Sequence, residues 1–107
     1  MLESHRHQIP KASIKIKPMY VFMEKKSLAI QMLNLAKEHG LVNANCFEYE
    51  FNIAKLGNGE IVCLGIEYWP NNRRFDEQGK LIQSNVVAIP PNIQTEFNEY
   101  ATRIIEC

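Results

Sequence analysis

An α+β fold, one antiparallel sheet with two helices packed on one face, is what this sequence predicts. Three observations carry it. Alternating apolar residues flank an Asn-Gly turn, an amphipathic helical pattern stands on either side of that region, and no internal repeat, linker or low-complexity stretch divides the chain. The expected order is β-α-β-β-β(-β)-α, with about four to five strands and both helical stripes turned to the same sheet face.

The first strand is the least constrained. Ile14-Lys15-Ile16-Lys17 alternates with period two and Met19-Tyr20-Val21-Phe22 continues as an apolar run, while Pro18 removes a ladder donor. A strand there is expected at an edge or broken at the proline. From Glu24 the period changes: Leu28, Met32, Leu35 and Ala36 fall on one face of an α-helix. Gly40 stands where a left-handed residue ends a helix, Leu41 can fold back over the last turn, and Lys37 suits the helix dipole.

The hairpin follows. Phe47, Tyr49, Phe51 and Ile53 alternate with Glu48, Glu50 and Asn52, and Asn58-Gly59 is the strongest short-range signal for a two-residue type I′ turn. That turn places Tyr49 opposite Tyr68, Phe51 opposite Ile66, Ile53 opposite Leu64 and Ala54 opposite Cys63. A one-residue slip would set the apolar side chains of one strand against the wrong face of the other. Beyond Pro70, Arg73-Arg74-Phe75 and Lys80-Leu81-Ile82 flank a tighter turn with Gly79 at its left-handed position, and Val86-Val87-Ala88-Ile89 continues as a strand. Pro91 opens a closing helix in which Ile93, Phe97, Tyr100, Ala101, Ile104 and Ile105 form the apolar stripe, with Gln94, Asn98 and Arg103 facing outward.

A chain of 107 residues is the size of one domain. It buries roughly 65% of its unfolded surface, enough for a core without disulfides or metals. Residues 1–12 are polar and lack periodicity, which predicts a flexible arm ahead of a single domain over 13–107. The net charge is zero, unlike the basic excess of a dedicated phosphate-backbone binder. Charge is segregated all the same. Arg6, Lys11, Lys15, Lys17, Lys25 and Lys26 outweigh Glu3 and Glu24 in the first 26 residues, whereas Glu48, Glu50, Glu60 and Glu67 outweigh Lys55 between 41 and 70. Three cysteines, Cys46, Cys63 and Cys107, have no paired spacing, and the chain has no apolar leader or membrane-length run. These features predict a reducing, cytoplasmic setting with no membrane contact.

Chemistry-bearing patterns are few. Glu50 opposite Glu67, with Glu48 near Trp69, is a pair of carboxylates across two strands; such a pair serves acid–base work or a divalent cation, attracts a basic partner, or splays into water. Trp69-Pro70-Asn71-Asn72-Arg73-Arg74 joins an aromatic, a stiff proline, two amides and two arginines at a strand end, a recognition tip built from residue types favoured at interfaces. The simpler reading makes Trp69 a cap on the core edge and the polar residues a turn. His5 and His7 lack the further ligands of a metal site, His39 suits a helix end, and Cys63 reads as a small buried hydrophobe. No cofactor, no metal and no catalytic residue is expected.

The helix–three strands–helix order from about 24 to 105 resembles the double-stranded-RNA-binding domain in topology. That resemblance implies a basic cluster opening the second helix, but Pro90-Pro91-Asn92-Ile93-Gln94-Thr95-Glu96 has no lysine or arginine to straddle phosphates. The expectation from sequence is therefore a small non-enzymatic interaction module, an accessory, inhibitor or immunity-type factor. It would bind a protein partner or a second copy of itself through Trp69, Asn71, Asn72, Arg73, Arg74, Glu48, Glu50 and Glu67. The alternatives are a nucleic-acid binder using Lys15, Lys17, Lys25, Lys26, Arg73 and Arg74, and an enzyme built on Glu50 and Glu67.

Overall fold

The computed structural model describes residues 10–16 and 23–106, with side chains described from Lys26 to Glu106. The N-terminal segment with His5 and His7, the Pro18 break, the run over 19–22 and Cys107 lie outside the described residues, as do the side chains of Lys15 and Lys25. The architecture is α+β: an antiparallel sheet and two helices. The elements are β1 (Pro10–Ile16), α1 (Met23–Glu38), β2 (Tyr49–Leu56), β3 (Ile61–Tyr68), β4 (Asn85–Ala88) and α2 (Gln94–Glu106), with a 3₁₀ turn at Pro91–Ile93 leading into α2. Strands β2, β3 and β4 run as an antiparallel meander, and β1 lies along the other edge of β2. Among the described residues no fifth strand forms: Phe75 and Leu81 make an isolated bridge. β1 begins at Pro10, inside the stretch expected as an arm.

Helix α1 buries Leu28, Ala29, Met32, Leu33 and Ala36, while Leu35 is half-buried. Its end is a Schellman motif, as the sequence predicts. The Leu41 N–H donates to the Ala36 carbonyl at 2.9 Å and the Gly40 N–H to that of Lys37 at 3.1 Å, with Gly40 at φ 72°. The motif returns Leu41 to the core that α1 shares with Phe51, Ile66 and Phe97.

The β2–β3 hairpin keeps the expected register at its far end and departs from it near the turn. Tyr49 faces Tyr68, Glu50 faces Glu67 and Phe51 faces Ile66; then Ile53 faces Cys63 and Ala54 faces Val62, in place of the expected Leu64 and Cys63. The loop is not the two-residue type I′ turn. The Leu56 N–H donates to the Glu60 carbonyl at 2.7 Å and the Gly59 N–H to that of Leu56 at 2.9 Å, enclosing Gly57, Asn58 and Gly59. Type I′ needs positive φ at both central residues; here Gly59 has φ 93° and Asn58 does not join it. Asn58 Oδ1 instead accepts the Glu60 N–H at 2.9 Å, a local bond that favours the longer loop. The extra loop residue is absorbed by a bulge at Leu64, after which the strands regain the pairing dictated by their apolar pattern. Cys63 thereby moves into the core at 0% exposure, and Leu64 turns out to solvent at 37%.

Two close fits hold β3 beyond the bulge. A Cβ on Gly65 would stand 2.5 Å from the Val87 carbonyl oxygen of β4, so only glycine allows these strands their approach. β4 pairs with residues 65–68 and reaches no further. The backbone of Cys63 is completed by α2 instead: Gln94 Nε2 donates to the Cys63 carbonyl at 2.7 Å, and Asn98 Oδ1 accepts the Cys63 N–H at 2.9 Å. Gln94 also donates to Asn98 Oδ1 at 2.8 Å. These two amides were expected to face outward; they face the sheet because a buried strand edge needs partners and they stand one helical turn apart. Arg103 is exposed, and the stripe of Phe97, Ala101 and Ile104 is buried as expected.

Two substitutions check this account. Gly59→Val should cost on the order of 1–3 kcal/mol through backbone strain alone, since nothing lies within 4 Å of an added Cβ. Gly59→Asn should be much milder, and equal losses in denaturant unfolding would refute the left-handed assignment. Asn98→Ala strands the buried Cys63 N–H and should cost about 1–3 kcal/mol, with faster exchange of that amide. Asn98→Asp, which keeps the acceptor, should lose less; an alanine variant as stable as the parent would show that the bond contributes nothing.

Candidate functional site

The stretch from Trp69 to Arg74 leaves the end of β3 as a turn. The Trp69 N–H donates to the Glu48 carbonyl at 3.0 Å and the Asn72 N–H to the Trp69 carbonyl at 2.8 Å, with Pro70 and Asn71 between them. Asn72 takes φ 57°, a left-handed conformation that asparagine tolerates. Its side chain then bridges two loops. Oδ1 accepts the N–H groups of Phe47 at 2.8 Å and Glu48 at 3.1 Å, and Nδ2 donates to the Asn45 carbonyl at 3.1 Å. Phe47, expected within the strand, stands outside it and is 70% exposed, because this clamp holds its backbone off the ladder.

Trp69 is buried, with its indole N–H donating to the Ile82 carbonyl at 2.8 Å. The Arg74 guanidinium lies over the indole, 4.1 Å from the ring centroid. The same guanidinium forks onto two carboxylates: Nε meets Glu48 Oε1 at 2.9 Å, and Nη1 meets Glu50 Oε2. Burial lowers the Arg74 pKa, but the hydrogen bonds and charges of Glu50 and Glu48 outweigh it and leave it raised. Of the expected contact residues, Trp69, Asn72 and Arg74 thus have internal partners, while Asn71 and Arg73 are exposed, Arg73 donating to the Phe75 carbonyl at 3.5 Å.

Glu50 and Glu67 do face each other across β2 and β3. Like charges so placed repel, and the structure offsets this on both sides. Glu50, 5% exposed, is held by Arg74, and Glu67 Oε2 accepts the Ser84 hydroxyl at 2.5 Å. Between them a cleft of about 190 Å³ opens on the outer sheet face, lined by Glu50, Asn52, Leu64, Gly65, Glu67 and Val86 among others. Asn52 Oδ1 is buried there with no hydrogen-bond partner among the described residues.

Sequence reasoning missed Ser84, whose role depends on a loop returning over the sheet. It also missed the exposed apolar rim: Leu64 and Val86, the latter 75% exposed, and the bridged pair Phe75 and Leu81. The bulge that exposes Leu64 has no signature in an apolar alternation.

Neither of the two described thiols is activated. Burial pushes the Cys63 thiol up to about 12 and also raises that of Cys46, so both stay protonated at neutral pH. Among the described residues no cluster of His, Cys, Asp and Glu could hold a metal ion, and no helix is long and apolar enough to cross a membrane. Compared with protein families, characterised proteins and solved structures, the chain matches none.

The Arg74 fork makes a direct prediction. Arg74→Ala removes the guanidinium from a buried carboxylate and should cost on the order of 2–4 kcal/mol, less than for a fully buried pair because the fork is partly solvated. Adding Glu50→Gln should restore part of that loss. Additive losses in the double variant would mean that the two side chains are not coupled.

Proposed function

We propose that the chain is a non-enzymatic protein-interaction module that binds a protein partner, or a second copy, through the outer sheet face and the adjoining 73–82 hairpin. The observation that carries this reading is a set of exposed apolar side chains beside a cleft whose two carboxylates are held by Arg74 and Ser84. Leu64 and Val86 border the cleft, and Phe75 and Leu81, 57% and 64% exposed, stand beside Arg74, which is anchored to the cleft's own Glu50. Exposed large apolar side chains, here the pair bordering the cleft and the bridged pair Phe75 and Leu81, mark contact sites on a small domain. β4 adds an edge strand within an uncharged run from Leu81 to Thr95, lacking the lysines that usually protect such an edge.

The competing readings have less support. A carboxylate locked to an arginine is poorly placed for acid–base catalysis, and the two described thiols are buried in the core. A nucleic-acid surface would draw on Lys15, Lys17, Lys25, Lys26, Arg73 and Arg74, and of these the Arg74 guanidinium is already occupied by two carboxylates. Arg73 can still serve a protein interface from its exposed position beside the hairpin.

Sedimentation over a concentration series, and quantitative capture of any stoichiometric partner, test the proposal with Val86→Lys, Phe75→Ser and Arg73→Ala. At least one of these should weaken association by about 2 kcal/mol or more, as anchor residues do. The melting temperature should stay nearly unchanged, since the three side chains are exposed. A chain that remains monomeric, with any captured partner indifferent to all three changes, would refute it.

A further inference from the structure

Asn58 is the only asparagine followed by glycine in the chain, and it lies exposed at the tip of the β2–β3 loop. Such pairs are intrinsically labile, because the glycine amide meets no Cβ obstruction when its nitrogen attacks the preceding carboxamide. In the folded loop both reacting groups are engaged elsewhere. The Gly59 N–H donates to the Leu56 carbonyl at 2.9 Å, which keeps its proton in place and its nitrogen turned toward β2. The Asn58 carboxamide is held on Glu60, Oδ1 accepting the backbone N–H at 2.9 Å and Nδ2 donating to Oε1 at 3.0 Å.

We propose that Asn58 is a site of non-enzymatic deamidation gated by opening of this loop and restrained by the Glu60 clamp. When the loop opens, the Gly59 amide loses its proton to hydroxide and its nitrogen bonds to Asn58 Cγ. The Cγ–Nδ2 bond breaks and ammonia leaves, giving a succinimide. Water then opens the ring: cleavage at Cγ gives aspartate, and cleavage at the backbone carbonyl carbon gives isoaspartate. The net change is water gained and ammonia lost, with no redox partner. Either product sets a negative charge beside Glu60. Isoaspartate also adds a methylene to the main chain of a loop closed by short bonds between Leu56 and Glu60 and between Gly59 and Leu56. Modification therefore favours the open hairpin end and records how often it opens. The site lies at the opposite end of the hairpin from Trp69 and Arg74, so it is independent of the interaction reading.

The test is peptide mapping by mass spectrometry of the full chain, incubated at mildly alkaline pH in native buffer and in guanidinium chloride. Denatured chain should gain about one dalton at Asn58, and native chain should convert at least about tenfold more slowly, an opening free energy of about 1.4 kcal/mol or more. Glu60→Ala should speed the native reaction several-fold and leave the denatured rate unchanged. Asn58→Gln should abolish the signal at this position in both states. Equal native and denatured rates would overturn the gating, a native rate indifferent to Glu60→Ala would overturn the clamp, and a denatured chain intact at Asn58 would overturn the site.

Discussion

The pairing of β2 with β3 governs the rest of this structure, because side chains on a strand alternate and a single-residue offset exchanges core for solvent. Phe51 and Ile66 must meet for the sheet to present one apolar face to both helices, and they do. The loop at Gly57–Gly59 taken alone would shift that meeting by one residue. The bulge at Leu64 shifts it back. Turn and bulge thus act as one device, separated by a short stretch of ladder in which Cys63 takes the core position and Leu64 loses it.

That device has consequences on both sides of the sheet. On the core side, Cys63 arrives where β4 has already ended, and its backbone is completed by two amide side chains from α2. The helix is therefore tied to the sheet by hydrogen bonds as well as by Phe97 and Ile104. On the outer side, the bulge brings Leu64 into the open beside Glu67 and Val86, and Gly65 allows β4 to close in where any Cβ would collide. The rim on which the proposed interaction rests is thus a by-product of the register that secures the core.

The 70–84 excursion shows a second economy of means. Its turn at Asp76–Lys80 repeats the loop of the main hairpin. The Asp76 N–H donates to the Lys80 carbonyl and the Gly79 N–H to that of Asp76, with Gly79 at φ 82°. Polar attachments of different kinds hold the excursion, among them the Asn72 clamp, the Trp69 indole, the Arg74 fork and the Ser84 hydroxyl on Glu67. The Trp69 indole and the Arg74 fork are partly buried, where polar groups without partners would be costly. Within the stretch from Trp69 to Arg74, Trp69, Asn72 and Arg74 hold the excursion in place, while Asn71 and Arg73 are exposed, as are Phe75 and Leu81 beyond it.

Local signals determined much of this chain. The helical period of Leu28, Met32 and Ala36, the Schellman ending at Gly40 and Leu41, and the facing of Phe51 by Ile66 and of Glu50 by Glu67 were all legible, because each depends on neighbours in sequence or on alternation. The loop length, the bulge at Leu64, the inward turn of Gln94 and Asn98, and the capture of Arg74 by Glu48 and Glu50 were decided by tertiary structure. Each answers a demand created by distant segments: a backbone edge left open where β4 stops, or two carboxylates set opposite each other across the strands. Alternation can place Glu50 opposite Glu67, but only the folded chain brings Arg74 and Ser84 over the sheet to make that placement tolerable.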